Sequence, residues 1–224
     1  MLHIKGRKTS GNVMKVTWIL EELKIPYERD DVGGKFGKND EQDYLDLNPM
    51  GLIPTLIDGD IILWESNTIV RYIANKFSSG DLSPVDDGER AILELWMDWQ
   101  LFAINPMMRP IYHGMIRNKP EDRNWDEINK NILRGNELWA ILDKHLEDKE
   151  YIGGSKLTIA DFPVGPVIHR YHSIVEDRPA TPNIDRWYNN LKKSAAYQKI
   201  VMIPLESVSY THLRAHETRE ERVC

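Results

Sequence analysis

The sequence Met50-Gly51-Leu52-Ile53-Pro54-Thr55-Leu56, followed at a short distance by Trp64-Glu65-Ser66-Asn67, decides the fold. Pro54 opens an apolar run that predicts a buried strand, and proline is tolerated at a strand start where the chain turns sharply. The Ile53-Pro54 bond is therefore a candidate for a cis peptide. Such a turn leaves the backbone N–H and C=O of Ile53 free to pair with an extended ligand, so this loop is a candidate binding site.

The residues after this loop predict a hairpin and then a helix. Asp58-Gly59-Asp60 is a turn sequence, residues 61–64 form the returning strand, and Ser66 is the expected N-cap of a helix with a regular apolar face. The N–H groups and positive dipole of a helix N-terminus bind a carboxylate, while Glu65 can accept a hydrogen bond from an ammonium group. The pattern predicts a site for a small peptide that carries both charges on one carbon.

A polar loop near the start of the chain is a second candidate site. It joins a predicted first strand, Leu2-His3-Ile4, to a helix with an apolar face at residues 13–23. Ser10 and Asn12 stand at the start of that helix. From the residues alone, each either caps the helix or contacts a ligand.

The second half of the chain predicts helices only. Residues 79–88 are rich in turn formers, and they separate the mixed pattern from helical periodicity at 89–104, 126–146, 158–172 and 183–193. Thr158-Ile159-Ala160-Asp161 has the spacing of a capping box with an acidic last residue. The sequence therefore predicts an α/β N-terminal domain and an all-α C-terminal domain.

Composition narrows the classes of function. The chain has 224 residues, a mass of 26.1 kDa, a net charge of −6 and a pI of about 5.7, so no basic surface for nucleic acid or anionic membrane is indicated. No apolar run of membrane-spanning length and no leader sequence is found, and a cytoplasmic location is expected. No set of side chains has the spacing of metal ligands, so no metal is predicted. Cys224 is the single cysteine, so any other thiol must be brought in as a ligand.

In this order the motifs resemble the glutathione transferase family, with bacterial theta-like, Ser-type members as the best match. The resemblance includes Leu47-Asn48-Pro49 before the proline loop and Ile69-Val70-Arg71-Tyr72-Ile73 after the Glu-Ser pair. It implies a thioredoxin-like domain at 1–78, a linker at 79–88 and a helical substrate-binding domain at 89–206. Residues 207–224 match nothing in the family and are expected to be a non-native or disordered tail.

The resemblance also implies roles for the residues of both sites. Ser10 takes the position of the catalytic serine that hydrogen-bonds the sulfur of glutathione, Asn12 matches an asparagine found near the sulfur in some relatives, and Thr9 is the reserve candidate. Glutathione is the expected co-substrate. Its other contacts are expected at Ile53, Pro54, Glu65 and Ser66.

One position departs from the family pattern. Many relatives place a His or Lys before the proline to hold the glycyl carboxylate of glutathione, whereas this chain has Gly51 and Leu52 there. Lys35, in the glycine-rich loop 33–37, is the predicted substitute. The alternative is that Lys35 is a solvated surface lysine with no role in binding glutathione.

The pocket for the electrophile is expected where the helical domain faces Ser10. Its candidate residues are Trp99, Met107, Arg109 and Tyr112. Pro106 and Pro110 are expected to kink or break the helix, and Arg109 is available to bind an anion.

The resemblance implies conjugation of the glutathione thiolate to small electrophiles, of haloacid or haloalkane type, by a homodimer that serves in detoxification. A glutathione-dependent disulfide or peroxide reductase and a non-catalytic glutathione-binding module are the alternatives.

Overall fold

A four-stranded mixed sheet with flanking helices forms the N-terminal part of the protein, whose computed structural model describes residues 1–205. The predicted tail at 207–224 lies outside the described residues. The elements are β1 (Leu2–Lys5), α1 (Gly11–Glu22), β2 (Tyr27–Asp30), α2 (Gln42–Leu45), β3 (Thr55–Asp58), β4 (Ile61–Trp64) and α3 (Ser66–Phe77). The sheet order is β2-β1-β3-β4, with β1 parallel to β2 and antiparallel to β3.

The helical part follows, and its first portion is continuous over residues 87–117. Prolines were predicted to kink or break this segment, and it does not break there. Both Pro106 and Pro110 lie within α5 (Asn105–Tyr112), and π-helical stretches at Gln100–Ile104 and His113–Arg117 flank that helix. The helices are α4 (Asp87–Trp99), α5 (Asn105–Tyr112), α6 (Trp125–His145), α7 (Asp161–Ile174), α8 (Pro182–Leu191) and α9 (Ala195–Ile200).

Helix α1 joins the two parts because nearly all of its surface is buried. Every residue from Val13 to Leu20 is buried, and the helix packs against α3 on one side and α7 on the other. The ring of Trp18 lies 4.5 Å from that of Phe162 and 4.8 Å from that of Tyr197. The start of α1 is thereby fixed between the sheet and the helical domain.

The start of α7 is held by a buried carboxylate. Asp161 accepts hydrogen bonds from the backbone N–H of Thr158 at 2.8 Å and from the indole N–H of Trp187 at 2.8 Å. The helix begins at Asp161 rather than at Thr158, because residues 158–160 form the turn that this side chain closes. Burial raises the pKa of Asp161 to about 6, against the effect of its hydrogen bonds.

The domain boundary predicted at 79–88 stays a prediction; α3 ends at Phe77 and α4 begins at Asp87. Within residues 1–205, no helix has the length and apolar character needed to cross a membrane.

Candidate functional site

A cleft of about 620 Å³ separates the start of α1 from the helical domain. This volume is within the range of small-ligand sites. We call it the interdomain cleft. Its charged and polar lining includes Arg7, Thr9, Ser10, Asn12, Lys15, Glu65, Asn105, Arg109, Tyr112, His113, Arg117 and Arg170.

Three predicted sulfur-site residues line this cleft together. Ser10 is the N-cap residue of α1, and its backbone carbonyl accepts from the N–H of Met14 at 2.9 Å. Its side chain makes no capping hydrogen bond, so the hydroxyl is available to a ligand. Thr9 and Asn12 also line the cleft, so both remain alternatives to Ser10 as the residue at the sulfur site.

The proline loop forms the turn that the sequence predicts. The Ile53-Pro54 peptide bond is cis. The carbonyl of Leu52 accepts from the hydroxyl of Tyr44 at 2.6 Å and from the amide of Asn48 at 2.7 Å, which fixes the loop from behind. Leu52 itself lines the interdomain cleft, so the loop borders the site directly before Ile53 and Pro54.

The Glu-Ser pair lies at the start of α3, displaced by one position from the prediction. The N-cap is Glu65, with a left-handed φ of 69°, and Ser66 is the first helical residue, so the prediction of Ser66 as the N-cap is wrong. Glu65 is exposed and lines the cleft, whereas Ser66 is buried. The physical reason is that the left-handed backbone at Glu65 turns the chain directly into the helix.

A buried lysine supports this helix start. The ammonium group of Lys15 donates to Ser66 Oγ at 3.3 Å, Asn67 Oδ1 at 3.1 Å and Gln100 Oε1 at 2.9 Å. All three acceptors are neutral. Burial lowers the pKa of Lys15 from 10.5 to about 7, while the charge of Glu65 acts in the opposite direction. A buried amine with neutral partners, which titrates near neutral pH, is therefore present beside the cleft.

Comparison with known proteins identifies the family. The chain matches the models of the glutathione S-transferase N-terminal domain over residues 8–75 and C-terminal domain over residues 134–190. Glutathione S-transferase GstB of Escherichia coli (strain K12) is 37% identical over 207 residues, covering 92% of this chain and 100% of that protein. The chain belongs to the glutathione S-transferase family.

Other members of the family agree in sequence and in fold. Glutathione S-transferase 3 of Zea mays is 30% identical over 220 residues, covering 91% of this chain and 95% of that protein. The theta class glutathione S-transferase of the citrus canker pathogen Xanthomonas axonopodis pv. citri, solved with glutathione bound, has a TM-score of 0.88 and 37% identity. That match covers 91% of this chain and 98% of that structure. The resemblance and the two-part fold predicted from the sequence are confirmed.

In this glutathione S-transferase family member, the predicted substitute for the missing His or Lys lies outside the cleft lining. Lys35 is exposed in a short 3₁₀ turn, Gly34–Phe36, with its ammonium group 5.3 Å from the ring centre of Phe36. Arg7, by contrast, does line the cleft, and its guanidinium lies directly against the same glycine-rich loop. The position of Arg7 makes it a second candidate for the same role.

Two of the four predicted electrophile residues do not line this cleft. Trp99 packs within the helical domain, with its ring 5.1 Å from that of Trp96 and 6.3 Å from that of Trp139. Met107 is buried and faces α6, since a Cβ placed on Gly135 would lie 3.2 Å from its sulfur. Both side chains fill the core because they are on the inner face of their helices. We therefore remove them from the predicted pocket.

The other two, Arg109 and Tyr112, line the cleft together with two arginines that the sequence analysis missed. The guanidinium carbon of Arg170 lies 4.7 Å from the ring centre of Tyr112, and that of Arg117 lies 5.7 Å from it. Arg170 also donates to the carbonyl of Thr9 at 2.7 Å. Helix α7 thereby contacts the loop that carries Ser10.

The sequence does contain a signal for the missed lysine. Lys15 is the single charged residue in the run 13–20, which the apolar pattern predicts as buried, and a lone charge in such a run needs a polar partner. No comparable signal marks Arg117 or Arg170. Among residues 1–205, no group of three or more His, Cys, Asp and Glu side chains is arranged to hold a metal ion.

Proposed function

We propose that the interdomain cleft binds glutathione with its sulfur at Ser10 and transfers that sulfur to a small electrophile held against the helical domain. The chain is a glutathione transferase by family, with glutathione as co-substrate. The observation that carries the assignment of Ser10 is its hydroxyl, which lines the cleft at the start of α1 and makes no capping bond.

Ser10 acts by favouring the thiolate form of glutathione. Its hydroxyl donates a hydrogen bond to the sulfur, the thiol proton leaves to solvent, and the thiolate is the nucleophile. A hydrogen bond to a charged group contributes about 1.5–3 kcal/mol, and a helix N-terminus adds about 0.3–1 kcal/mol. Lowering a thiol pKa by about two units requires about 2.7 kcal/mol, so these two contributions suffice.

The γ-glutamyl end of glutathione fits the start of α3. Glu65 accepts from the ammonium group, and the N–H groups at Ser66 and the following residues bind the neighbouring carboxylate. Lys15, whose ammonium group donates to Ser66 Oγ at 3.3 Å, adds a positive charge next to that carboxylate. The loop at Ile53 and Pro54 pairs with the extended backbone of the peptide.

The glycyl carboxylate of glutathione has two candidate binding residues. Arg7 borders the cleft, whereas Lys35 lies on the outer turn of the glycine-rich loop. A guanidinium can hold a carboxylate through two parallel hydrogen bonds. We therefore favour Arg7 for this carboxylate.

Product analysis tests the proposed function. The protein is incubated with glutathione and a panel of alkyl and aryl halides, and the products are identified by mass spectrometry. Glutathione conjugates that form faster than in the protein-free control would support transfer. Glutathione disulfide formed from a peroxide or disulfide substrate, with no conjugate, would support the reductase, and binding of glutathione without either product would support the non-catalytic module.

We also propose that the enzyme works as a homodimer. Exposed apolar side chains lie along α4 and the π-helical stretch after it, at Ile92, Leu95 and Phe102. Exposed large apolar patches mark interaction sites. Sedimentation velocity measures the mass directly. A dimer that Leu95→Glu dissociates would support the proposal, and a wild-type monomer at micromolar concentration would contradict it.

The requirement for reduced glutathione also bears on where in the cell the enzyme works. Because the reaction consumes the reduced thiol of glutathione, a reducing compartment is required, and we propose the cytoplasm. Detoxification of reactive electrophiles is the corresponding biological role.

A further inference from the structure

Three arginines line the helical side of the interdomain cleft, and two of them contact the same tyrosine ring. Arg109 is on α5, Arg117 ends the π-helical stretch after it, and Arg170 is on α7. Arg117 and Arg170 both lie against the ring of Tyr112, and all three arginines line the cleft. We call them the arginine group.

Among residues 1–205, the arginine group has no acidic partner. No carboxylate oxygen of those residues lies within 4.0 Å of any of its nitrogens, although surface arginines such as Arg71 and Arg134 do form such pairs. Arg117 and Arg170 are half-buried. A charge removed from water is costly unless it is paired, so an anion in the cleft would be a favourable ligand for them.

The charge balance of the whole cleft also favours an anionic ligand. Its lining holds five cationic residues, namely the arginine group with Arg7 and Lys15, and one acidic residue, Glu65. The protein as a whole has a net charge of −6, so this excess of positive charge is local to the cleft.

Glutathione alone does not balance this excess. Its ammonium group is assigned to Glu65, one carboxylate to the start of α3 beside Lys15, and the other to Arg7. Ser10 and the start of α1 hold the thiolate. The arginine group is thereby left to the second substrate.

We propose that the preferred electrophile is a small carboxylate, held through its acid group by Arg109, Arg117 and Arg170. This inference rests on the proposed function. In a displacement, the S–C bond forms as the bond from carbon to the leaving group breaks, and the leaving group departs with the electron pair. No proton moves in this step because the thiol has already lost it.

Two glutathione conjugates test the inference without turnover. S-carboxymethylglutathione and S-carbamidomethylglutathione differ only in a carboxylate against a neutral amide, and each spans both halves of the cleft. Their dissociation constants are measured by isothermal titration calorimetry, with glutathione itself as the reference ligand. We expect the carboxymethyl conjugate to bind at least about tenfold more tightly, which corresponds to about 1.4 kcal/mol.

Substitution locates the source of that difference. The double variant Arg109→Gln/Arg117→Gln should bring the ratio of the two affinities close to one. Arg134→Gln is the matched control, because this arginine is exposed on α6 and pairs with Glu137 at 2.6 Å outside the cleft. Arg109 is itself exposed, so Arg109→Gln alone should lower the ratio even if the double variant does not fold.

Equal affinities of the wild type for the two conjugates would overturn the carboxylate assignment. So would an affinity ratio that neither Arg109→Gln nor Arg109→Gln/Arg117→Gln changes. In either case, binding of glutathione itself would leave the proposed function standing. Failure of the wild type to bind glutathione and both conjugates would instead overturn the proposed function, and this inference with it.

Discussion

Replacing Ser10 by alanine should impair catalysis with little effect on folding. An N-cap serine whose hydroxyl bonds the helix contributes about 0.5–2 kcal/mol to stability. Ser10 makes no such bond, whereas Ser194, the N-cap of α9, accepts from the N–H of Tyr197 at 3.2 Å. We therefore expect Ser10→Ala to lower the free energy of unfolding by less than about 0.5 kcal/mol, and the control Ser194→Ala to lower it by about 1 kcal/mol.

The effect of the same substitution on the bound thiol is large. Losing a hydrogen bond worth about 1.5–3 kcal/mol to the thiolate raises the thiol pKa by about one to two units. The pH at which kcat/KM is half-maximal should move upward by the same amount. At neutral pH the rate should fall about 10- to 100-fold.

Two measurements on the same preparations check this prediction. The pH dependence of kcat/KM gives the apparent pKa of the thiol, and urea unfolding gives the free energy of unfolding of Ser10→Ala, Ser194→Ala and the wild type. A half-maximal pH that Ser10→Ala leaves unchanged would refute the role of this hydroxyl and move it to Asn12 or Thr9. A loss of stability as large as that of Ser194→Ala would refute the absence of a cap bond.

Three further predictions concern the binding of glutathione and the buried lysine. Glu65→Gln should weaken glutathione binding at least about tenfold in calorimetry, because it removes the negative charge assigned to the ammonium group; an unchanged dissociation constant would exclude that contact. Arg7→Gln should raise the KM for glutathione more than Lys35→Ala does, and the reverse order would restore Lys35 as the residue that holds the glycyl carboxylate. The unfolded chain keeps the proton of Lys15 up to about pH 10.5, whereas the folded protein releases it near pH 7. The free energy of unfolding should therefore rise across that window by up to about 1.4 kcal/mol per pH unit in urea titrations, and Lys15→Met should lose that rise; equal pH slopes would contradict the shifted pKa.

Local sequence patterns predicted the elements that carry the proposed glutathione site. The strand after Pro54, the turn at Asp58-Gly59-Asp60 and the helix after the Glu-Ser pair each depend on residues close together in the chain. The error of one residue at the N-cap of α3 arose from Glu65, since propensities favour serine at a cap and give no sign of a left-handed glutamate.

The electrophile side was less predictable because it depends on which neighbour each helix face meets. Trp99 and Met107 were predicted to line the pocket, because helical periodicity does not separate a core-facing position from a cleft-facing one. Arg170 is far from Ser10 in sequence and contacts the Ser10 loop only through packing of α7 against α1. Such long-range contacts have no signal in a single sequence.

The formation of bound thiolate at neutral pH is the measurement that tests the account most directly. Glutathione is added to the wild-type protein across a range of pH, and the ultraviolet difference spectrum is followed in the thiolate absorption band. We expect a thiolate signal at pH 7 whose titration midpoint lies about two units below that of free glutathione, as the hydrogen bond from Ser10 and the start of α1 require. A saturated complex whose midpoint equals that of free glutathione would contradict the account.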